Sequence, residues 1–327
     1  MEGLKKLYLA VDIGGTSVKI GLVDEDGNFR HTSEYPVNFD GYETPILETV
    51  VKSCSCFLTE HRIYPQQLTG AGVSATGYIN TEKGSVDGGG GFIRNWTGSQ
   101  IRERMEADFR IPVYVLNDAN AAALGEVWLG AAMGRKNVVM LTIGTGVGGG
   151  IITEARLLLG RRGFAGEVGH MILHRGGKRC HCGNEGCLEK YAAMTVLVED
   201  VRRAIEEGKV DGTDTEQVNG RWIFETIGKG NRDLEEIADR WMEDIAAGIV
   251  NLVYIFNPEM VILGGGVSSQ KELFIDRIRE KVTGMLPELF SRDLEIVAAS
   301  LANRAGMAGA VYYCMKSMRE GTAREKG

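Results

Sequence analysis

The stretch LTIGTGVGGGIIT, residues 141–153, carries five glycines, of which Gly144, Gly146 and Gly149 fit the spacing G-x-G-x-x-G. A dinucleotide fingerprint needs a strand, a glycine turn and then a helix, because the pyrophosphate rests on the helix N-terminus. Here VVMLTI (138–143) reads as a buried strand, but the glycines lead into the β-branched Ile151, Ile152 and Thr153 with no helix start signal. The stretch is therefore read as a glycine-turned hairpin and not as a Rossmann turn.

The pattern recurs near the start of the chain. LYLAVDIGGTSVKIGLVDEDG (7–27) reads as a strand, a Gly14-Gly15-Thr16 turn, a second strand and a turn at Asp26-Gly27. Asp12-Ile13-Gly14 overlays Thr142-Ile143-Gly144, which makes a weak internal repeat with one hairpin in each of two domains. Glycine turns between strands expose consecutive backbone N–H groups and form a concave nest for phosphate oxygens. Two such nests facing each other would grip one polyphosphate. Asp12 adds a carboxylate for magnesium, directly or through water, and Thr16 and Thr145 add hydroxyl donors.

A third glycine run follows a strand. IVNLVYIFNPEMVILGGGVS (249–268) reads as a helix ended before Pro258, a strand opening into Gly264-Gly265-Gly266, and a helix from Ser268 or Ser269. A glycine-flattened edge there suits a nucleoside lying close to backbone. The chain has no G-x-x-x-x-G-K-[ST], which argues against a P-loop.

DIGGTSVK (12–19), GTGVGGG (144–150) and GGGVS (264–268) resemble, in order and spacing, the two phosphate motifs and the adenosine motif of the actin, heat-shock chaperone and sugar kinase superfamily. The resemblance implies ATP and Mg2+, with Asp12, Gly14, Gly15, Thr16, Lys19, Gly144, Thr145, Gly146, Gly264, Gly265 and Gly266 as cofactor-binding residues. It also implies an α/β, two-lobed, ribonuclease-H-like (actin-like ATPase) fold with a central cleft.

Between the nucleotide motifs, IPVYVLNDANAAALGEVWLGAAMG (111–134) reads as a strand, Asn117-Asp118, and an alanine-rich helix from about Ala119 to Ala132 with Gly134 past its end. Asp118 stands where an N-cap would, and Asn117 caps equally well. The position between the motifs favours Asp118 as a catalytic carboxylate.

Further on, Cys180, Cys182 and Cys187 supply three thiols at C-x-C-x4-C, with Gly183 and Gly186 letting the loop curl around one ion. His170, His174 and His181 are each candidates for a fourth ligand of a closed, structural zinc site. GEVGH (166–170) followed by CHCGNEGCLEKYAA (180–193) resembles the signature of the ROK family of repressors, open reading frames and kinases. The resemblance implies His170, Cys180, Cys182 and Cys187 as zinc ligands, and Asn117, Asp118, Glu167, His170 and Glu189 as hexose-binding residues, with Asn95 approaching from the first lobe. His174 and His181 fall outside that pattern. The chain departs from the family at SATGYIN (74–80), where Thr76 and Tyr78 replace prolines and a looser turn is expected, and at Gly88–Gly91, which reads as a mobile loop.

The bulk numbers exclude several classes. The 37 Lys and Arg against 44 Asp and Glu give a net charge of -7 over 327 residues, with no electrostatic reason to expect nucleic acid or an anionic membrane. No apolar run approaches a membrane span and no cleavable leader is visible, so a cytoplasmic protein is expected, in which grouped thiols suggest metal more than disulfides.

The expected function is therefore an ATP-dependent hexokinase that phosphorylates a hexose hydroxyl, O6 by preference and glucose first, with Asp118 as general base. An N-acetylmannosamine, N-acetylglucosamine or fructose kinase would use the same hydroxyl-binding residues, and polyphosphate remains open as donor. A sugar-sensing ROK regulator is the rival of another class, though its helix-turn-helix would have to precede Asp12. The expected first lobe runs from 1 to 117, with a final helix at 303–318 packing back on it, and the second from 118 to 302. The tail from 319 is expected to be disordered, and 208–220 a flexible insertion. A homodimer or homotetramer is typical of the family.

Overall fold

A computed structural model describes residues 5–89, 93–210 and 214–324. The chain divides into two units: unit 1 comprises 1–134, 157–165 and 303–327, and unit 2 comprises 135–156 and 166–302. Among the described residues, no helix is long and apolar enough to cross a membrane.

Unit 1 is built on strands β1 (Leu7–Ile13), β2 (Ser17–Asp24) and β3 (Phe29–Pro36), followed by α1 (Ile46–Glu60), β4 (Gly70–Ala75), the short β5 (Tyr78–Asn80) and β6 (Ser85–Gly88), α2 (Ile101–Phe109), β7 (Val113–Asn117) and α3 (Asp118–Leu129). The main sheet has the order β3-β2-β1-β4-β7, with β2 antiparallel to β1 and β4 and β7 parallel to it and each other. Strand β1 is buried on both faces, so its alternation sorts partners: Leu7, Leu9, Val11 and Ile13 join one core, while Tyr8 and Ala10 join a second.

Unit 2 repeats the plan. Its strands are β8 (Val138–Ile143), β9 (Val147–Thr153), β10 (Arg156–Leu157), β11 (Met260–Gly264) and β12 (Glu295–Ala298), in the order β10-β9-β8-β11-β12. Helices α4 (Glu189–Ala192), α5 (Met194–Glu206), α6 (Gly220–Gly228), α7 (Arg232–Phe256), α8 (Arg277–Met285) and α9 (Glu288–Ser291) complete it. In both units the third strand, second strand, first strand, fourth and fifth lie in that order, which is the topology of the actin-like ATPase fold.

The chain then returns to unit 1 with α10 (Ala305–Arg324). Met307, Val311, Cys314 and Met315 fill the second face of the sheet against Tyr8 and Ala10. A Cβ on Gly309 would run into the Ala121 carbonyl oxygen of α3, so the two helices meet at backbone contact. This contact places α3 with unit 1, whereas the sequence reading began the second lobe at residue 118.

Other boundaries differ for local reasons. Helix α3 ends at Leu129, not near Ala132, because the buried Glu126 takes the Ala131 N–H at 2.8 Å on its side chain and the Gly130 and Ala132 N–H groups on its carbonyl. Helix α10 runs on to Arg324, where a disordered tail from 319 was expected; 325–327 lie outside the described residues. In the expected insertion at 208–220, residues 211–213 lie outside the described residues, but Thr215–Gln217 form a 3-10 turn whose end Arg202 ties down at the Thr215 and Val218 carbonyls. Gly266–Ser269 form a 3-10 turn and Lys271–Asp276 a π-helical stretch, so the α-helix expected from Ser268 or Ser269 begins only at Arg277.

The glycine contact gives a test. Gly309→Ala forces α10 off α3 and is expected to cost about 1–3 kcal/mol, seen as a drop of several degrees in the unfolding midpoint. Gly284→Ala, on a helix position where a Cβ meets nothing within 4 Å, is expected to raise it instead by scanning calorimetry.

Candidate functional site

The predicted residues of unit 1 gather at the carboxyl ends of its parallel strands. Asp12 pairs in register with Ser74, and Ser74 with Leu116; one rung on, Ile13, Ala75 and Asn117 align. That edge of an open α/β sheet is where ligands bind as a rule. Asp12 accepts the Ser74 hydroxyl at 2.6 Å. A Cβ on Gly306 would stand 2.8 Å from Asp12 Oδ1, so α10 closes one side of the carboxylate. Burial raises its pKa, and the Ser74 hydroxyl and the Lys19 charge oppose the rise.

In the first hairpin turn the Gly14 N–H is used internally, on Ser17 O at 3.0 Å, and Tyr42 reaches Gly15 O at 2.9 Å. The exposed Thr16 gives its carbonyl to Val37 N. Lys19 sits across from Asp12 in the β1–β2 register.

Asn117, rather than Asp118, is the N-cap of α3. Its Oδ1 accepts the Ala119 and Asn120 N–H groups at 3.0 and 3.2 Å, and its Nδ2 donates to Gly77 O at 3.1 Å. The cap therefore occupies most of the hydrogen-bonding capacity that the resemblance gave to a hexose. Asp118 is the first residue inside the helix; its carboxylate accepts the Ala119 N–H at 2.8 Å, and its own backbone and the Asn117 side chain also stabilise it. Burial, followed by the Asp12 charge, pushes its pKa up to about 6.

Asn95 lies exposed at a left-handed backbone position, φ 59°, with Nδ2 3.5 Å from Tyr42 O. The fully buried Trp96 beside it donates to Thr76 O at 2.9 Å. Thr76 N also reaches Ile13 O at 3.1 Å, so the turn expected to be loose is tied to both β1 and the Asn95 loop. Of the expected Gly88–Gly91 loop, Gly88 pairs with Tyr78, and Gly90 and Gly91 lie outside the described residues.

In unit 2 the 141–153 stretch is the hairpin β8–β9, with Ile143 opposite Val147. Gly144 N–H bonds to Gly146 O at 3.0 Å, leaving the exposed Thr145 at the crest. Gly264 pairs with Thr142 on the neighbouring strand, and a Cβ on Gly265, φ 94°, would run into Ile143 O. Gly266 opens onto free space.

A cavity of about 550 Å³ joins these elements, walled by Gly144 and Thr145, by Met194 and Val198 of α5, by Phe224 of α6, and by Gly266, Val267, Ser269 and Gln270. Sequence reasoning missed the α5 and α6 walls: their apolar residues carry the ordinary helical period and give no sign of lining a ligand. A second groove of about 610 Å³, between charged side chains of α5 and α7, shares no wall with the glycine turns.

The Glu167–His170 turn packs on the same hairpin, since a Cβ on Gly169 would strike Val147 O. His170, Cys180, Cys182 and Cys187 each bring one ligand atom to within 4.8 Å of the others. Cys182 and Cys187 sulfurs stand 3.6 Å apart, and Cys180 Sγ is 3.7 Å from His170 Nδ1. Those separations are too long for a disulfide at about 2.05 Å and match the edges, roughly 3.8 Å, of a tetrahedron with zinc–sulfur arms of about 2.3 Å. Burial lowers the His170 pKa, which keeps the imidazole neutral as a ligand must be. His174 is engaged elsewhere, 2.7 Å from Asp244 and in tilted ring contact with Tyr191. His181 Nδ1 lies 3.3 Å from Glu189 Oε1, while Glu189 Oε2 accepts the Val147 N–H at 3.1 Å.

Comparison with known proteins follows the same lines. A model of the ROK family matches residues 8–317. The glucokinase of Thermotoga maritima is 33% identical over 320 residues, covering 94% of this chain and 96% of that one. A beta-glucoside kinase of Listeria monocytogenes is 33% identical over 94% of this chain and 97% of its own. The crystal structure of a ROK family glucokinase from Streptomyces griseus in complex with glucose and AMPPNP superposes with a TM-score of 0.78 at 31% identity, covering 93% of this chain and 97% of that one.

The charge of Asp12 acts on Asp118, so Asp12→Asn is expected to move the Asp118 titration below its value of about 6. Carbon-13 NMR of labelled aspartate reads the midpoint; no movement would leave burial as its sole cause.

Proposed function

This chain belongs to the ROK family, and from that premise we propose that it is an ATP-dependent sugar kinase, transferring the γ-phosphoryl group of ATP to a hexose hydroxyl, with O6 of glucose as first choice. The observation that carries the reading is Asp118: a carboxylate at the strand ends, relieved of capping by Asn117, with a pKa raised toward neutrality. A base so tuned is ionised at pH 7 yet still accepts a proton readily.

In this reading Asp118 takes the hydroxyl proton as the new oxygen–phosphorus bond forms and ADP departs. The turns at Gly14–Thr16 and Gly144–Gly146 offer backbone N–H groups to phosphate oxygens, and the cavity beside Gly266 holds the nucleoside. Asp12, with Ser74 fixing one oxygen, holds Mg2+ directly or through water. Magnesium, when bound, offsets charge on the β- and γ-phosphates. Since the transition state is loose, these residues act by position and electrostatics more than by covalent chemistry.

Asn95, Glu167, His170 and Glu189 orient the sugar, while Asn117 supports Asp118 and the Gly77 turn beside it. His170 can serve metal and sugar together, because a ligand imidazole with Nδ1 on the metal keeps Nε2–H as a donor. Cys180, Cys182, Cys187 and His170 fit zinc, which when bound closes the loop between Glu167 and Glu189. The beta-glucoside kinase relative favours a second reading in which the acceptor is a sugar carrying a larger group at its first carbon.

ADP release with MgATP and a panel of hexoses, glucosides and N-acetylhexosamines tests the assignment. One sugar is expected to give turnover that Asp118→Asn loses by roughly a hundredfold or more while its sugar affinity persists. Turnover by that variant at the wild-type rate would remove Asp118 from the role. In the wild type, kcat/KM is expected to fall about tenfold per pH unit below pH about 6, as Asp118 becomes protonated. Atomic emission is expected to find one zinc per chain, lost in Cys187→Ser.

A further inference from the structure

His181 stands between two metal-loop cysteines and plays no part in the family pattern, yet it touches the residue that backs the second glycine turn. Glu189 is largely buried, with 15% of its side chain exposed. One of its oxygens accepts the Val147 N–H at the start of β9, and a Cβ on Gly146 would collide with that same oxygen. The open side of Gly146 is therefore the side against which the carboxylate rests. The other oxygen lies 3.3 Å from His181 Nδ1.

The rest of the turn is fastened from the same segment. Met194 N–H donates to Gly144 O at 2.9 Å, and the Thr195 hydroxyl donates to Thr145 O at 3.0 Å. Residues 189–195 thus hold the turn at three points; Trp241 supports the segment at the Ala193 carbonyl, and His181 supports the Glu189 contact. Because the turn carries no side chains at Gly144 and Gly146, its conformation is set by these outside contacts more than by its own torsional preference.

We propose that His181 is a positioning residue: by holding the Glu189 carboxylate on Val147 N–H, it fixes the Gly144–Gly146 turn in the form that receives nucleotide phosphate. Glu189 is then a residue of the nucleotide turn as well as of the sugar site. The inference rests on the kinase reading for the identity of the ligand at the turn. A side chain from the metal loop, though not itself a metal ligand, thereby transmits the order of that loop to the nucleotide.

The test uses the full chain and a non-hydrolysable ATP analogue with Mg2+, without sugar, titrated by calorimetry, with zinc per chain measured on the same samples. His181→Ala is expected to weaken binding roughly three- to tenfold, the scale of one partly exposed polar contact, with zinc content unchanged. His181→Asn, whose Nδ2 overlays Nδ1 of histidine, is expected to recover most of the loss. Glu189→Ala is expected to weaken binding at least as much, and adding His181→Ala to it to cost nothing more. Wild-type affinity in His181→Ala, additive losses, or tighter binding in either variant would overturn the inference, the last because the carboxylate would then be competing with phosphate. Loss of zinc along with affinity would also overturn it, making His181 a prop of the metal loop. A wild-type chain that does not bind the analogue overturns this inference and the kinase reading together, whereas binding that ignores His181 overturns this one alone.

Discussion

Helix α10 meets α3 at backbone contact, which Gly309 permits and a side chain would prevent, and three residues earlier Gly306 lets the same helix close over Asp12. This seat shapes unit 1. It fills the second face of the sheet with Met307, Val311 and Met315, and it covers one side of the half-buried Asp12 carboxylate. That carboxylate is held by one hydroxyl, from Ser74, and its charge reaches Asp118. The raised pKa of Asp118 comes first from its own burial and second from that neighbouring charge.

Division of labour between neighbours is the second theme. Asn117 and Asp118 are both good capping residues, and only one can cap. The amide of Asn117 takes two orphan N–H groups of α3 and shares the first of them with the Asp118 carboxylate. In unit 2 the two oxygens of Glu189 meet different partners, the Val147 N–H of the β8–β9 hairpin and the His181 ring.

Much of this was legible in the residues. Period-two burial and glycine turns define both hairpins, and the motif order Asp12, Gly144, Gly264 gives the α/β fold by resemblance. The cysteine spacing, with the His of E-x-G-H, gives a ligand set whose atoms the fold brings within 4.8 Å. The helix ends were less legible. Where α3 stops depends on the buried Glu126 folding back on its own last turn.

The sequence by itself determined the elements whose causes are local: glycine turns, strand alternation, cap candidates and thiol spacing all act within a few residues. Only the tertiary structure decided which of two capping residues would cap, that α3 belongs with unit 1, and that Glu189 and His181 meet the second glycine turn. Those outcomes depend on contacts between residues far apart in the chain, such as Gly309 with Ala121 and Val147 with Glu189, whose energies no local pattern encodes.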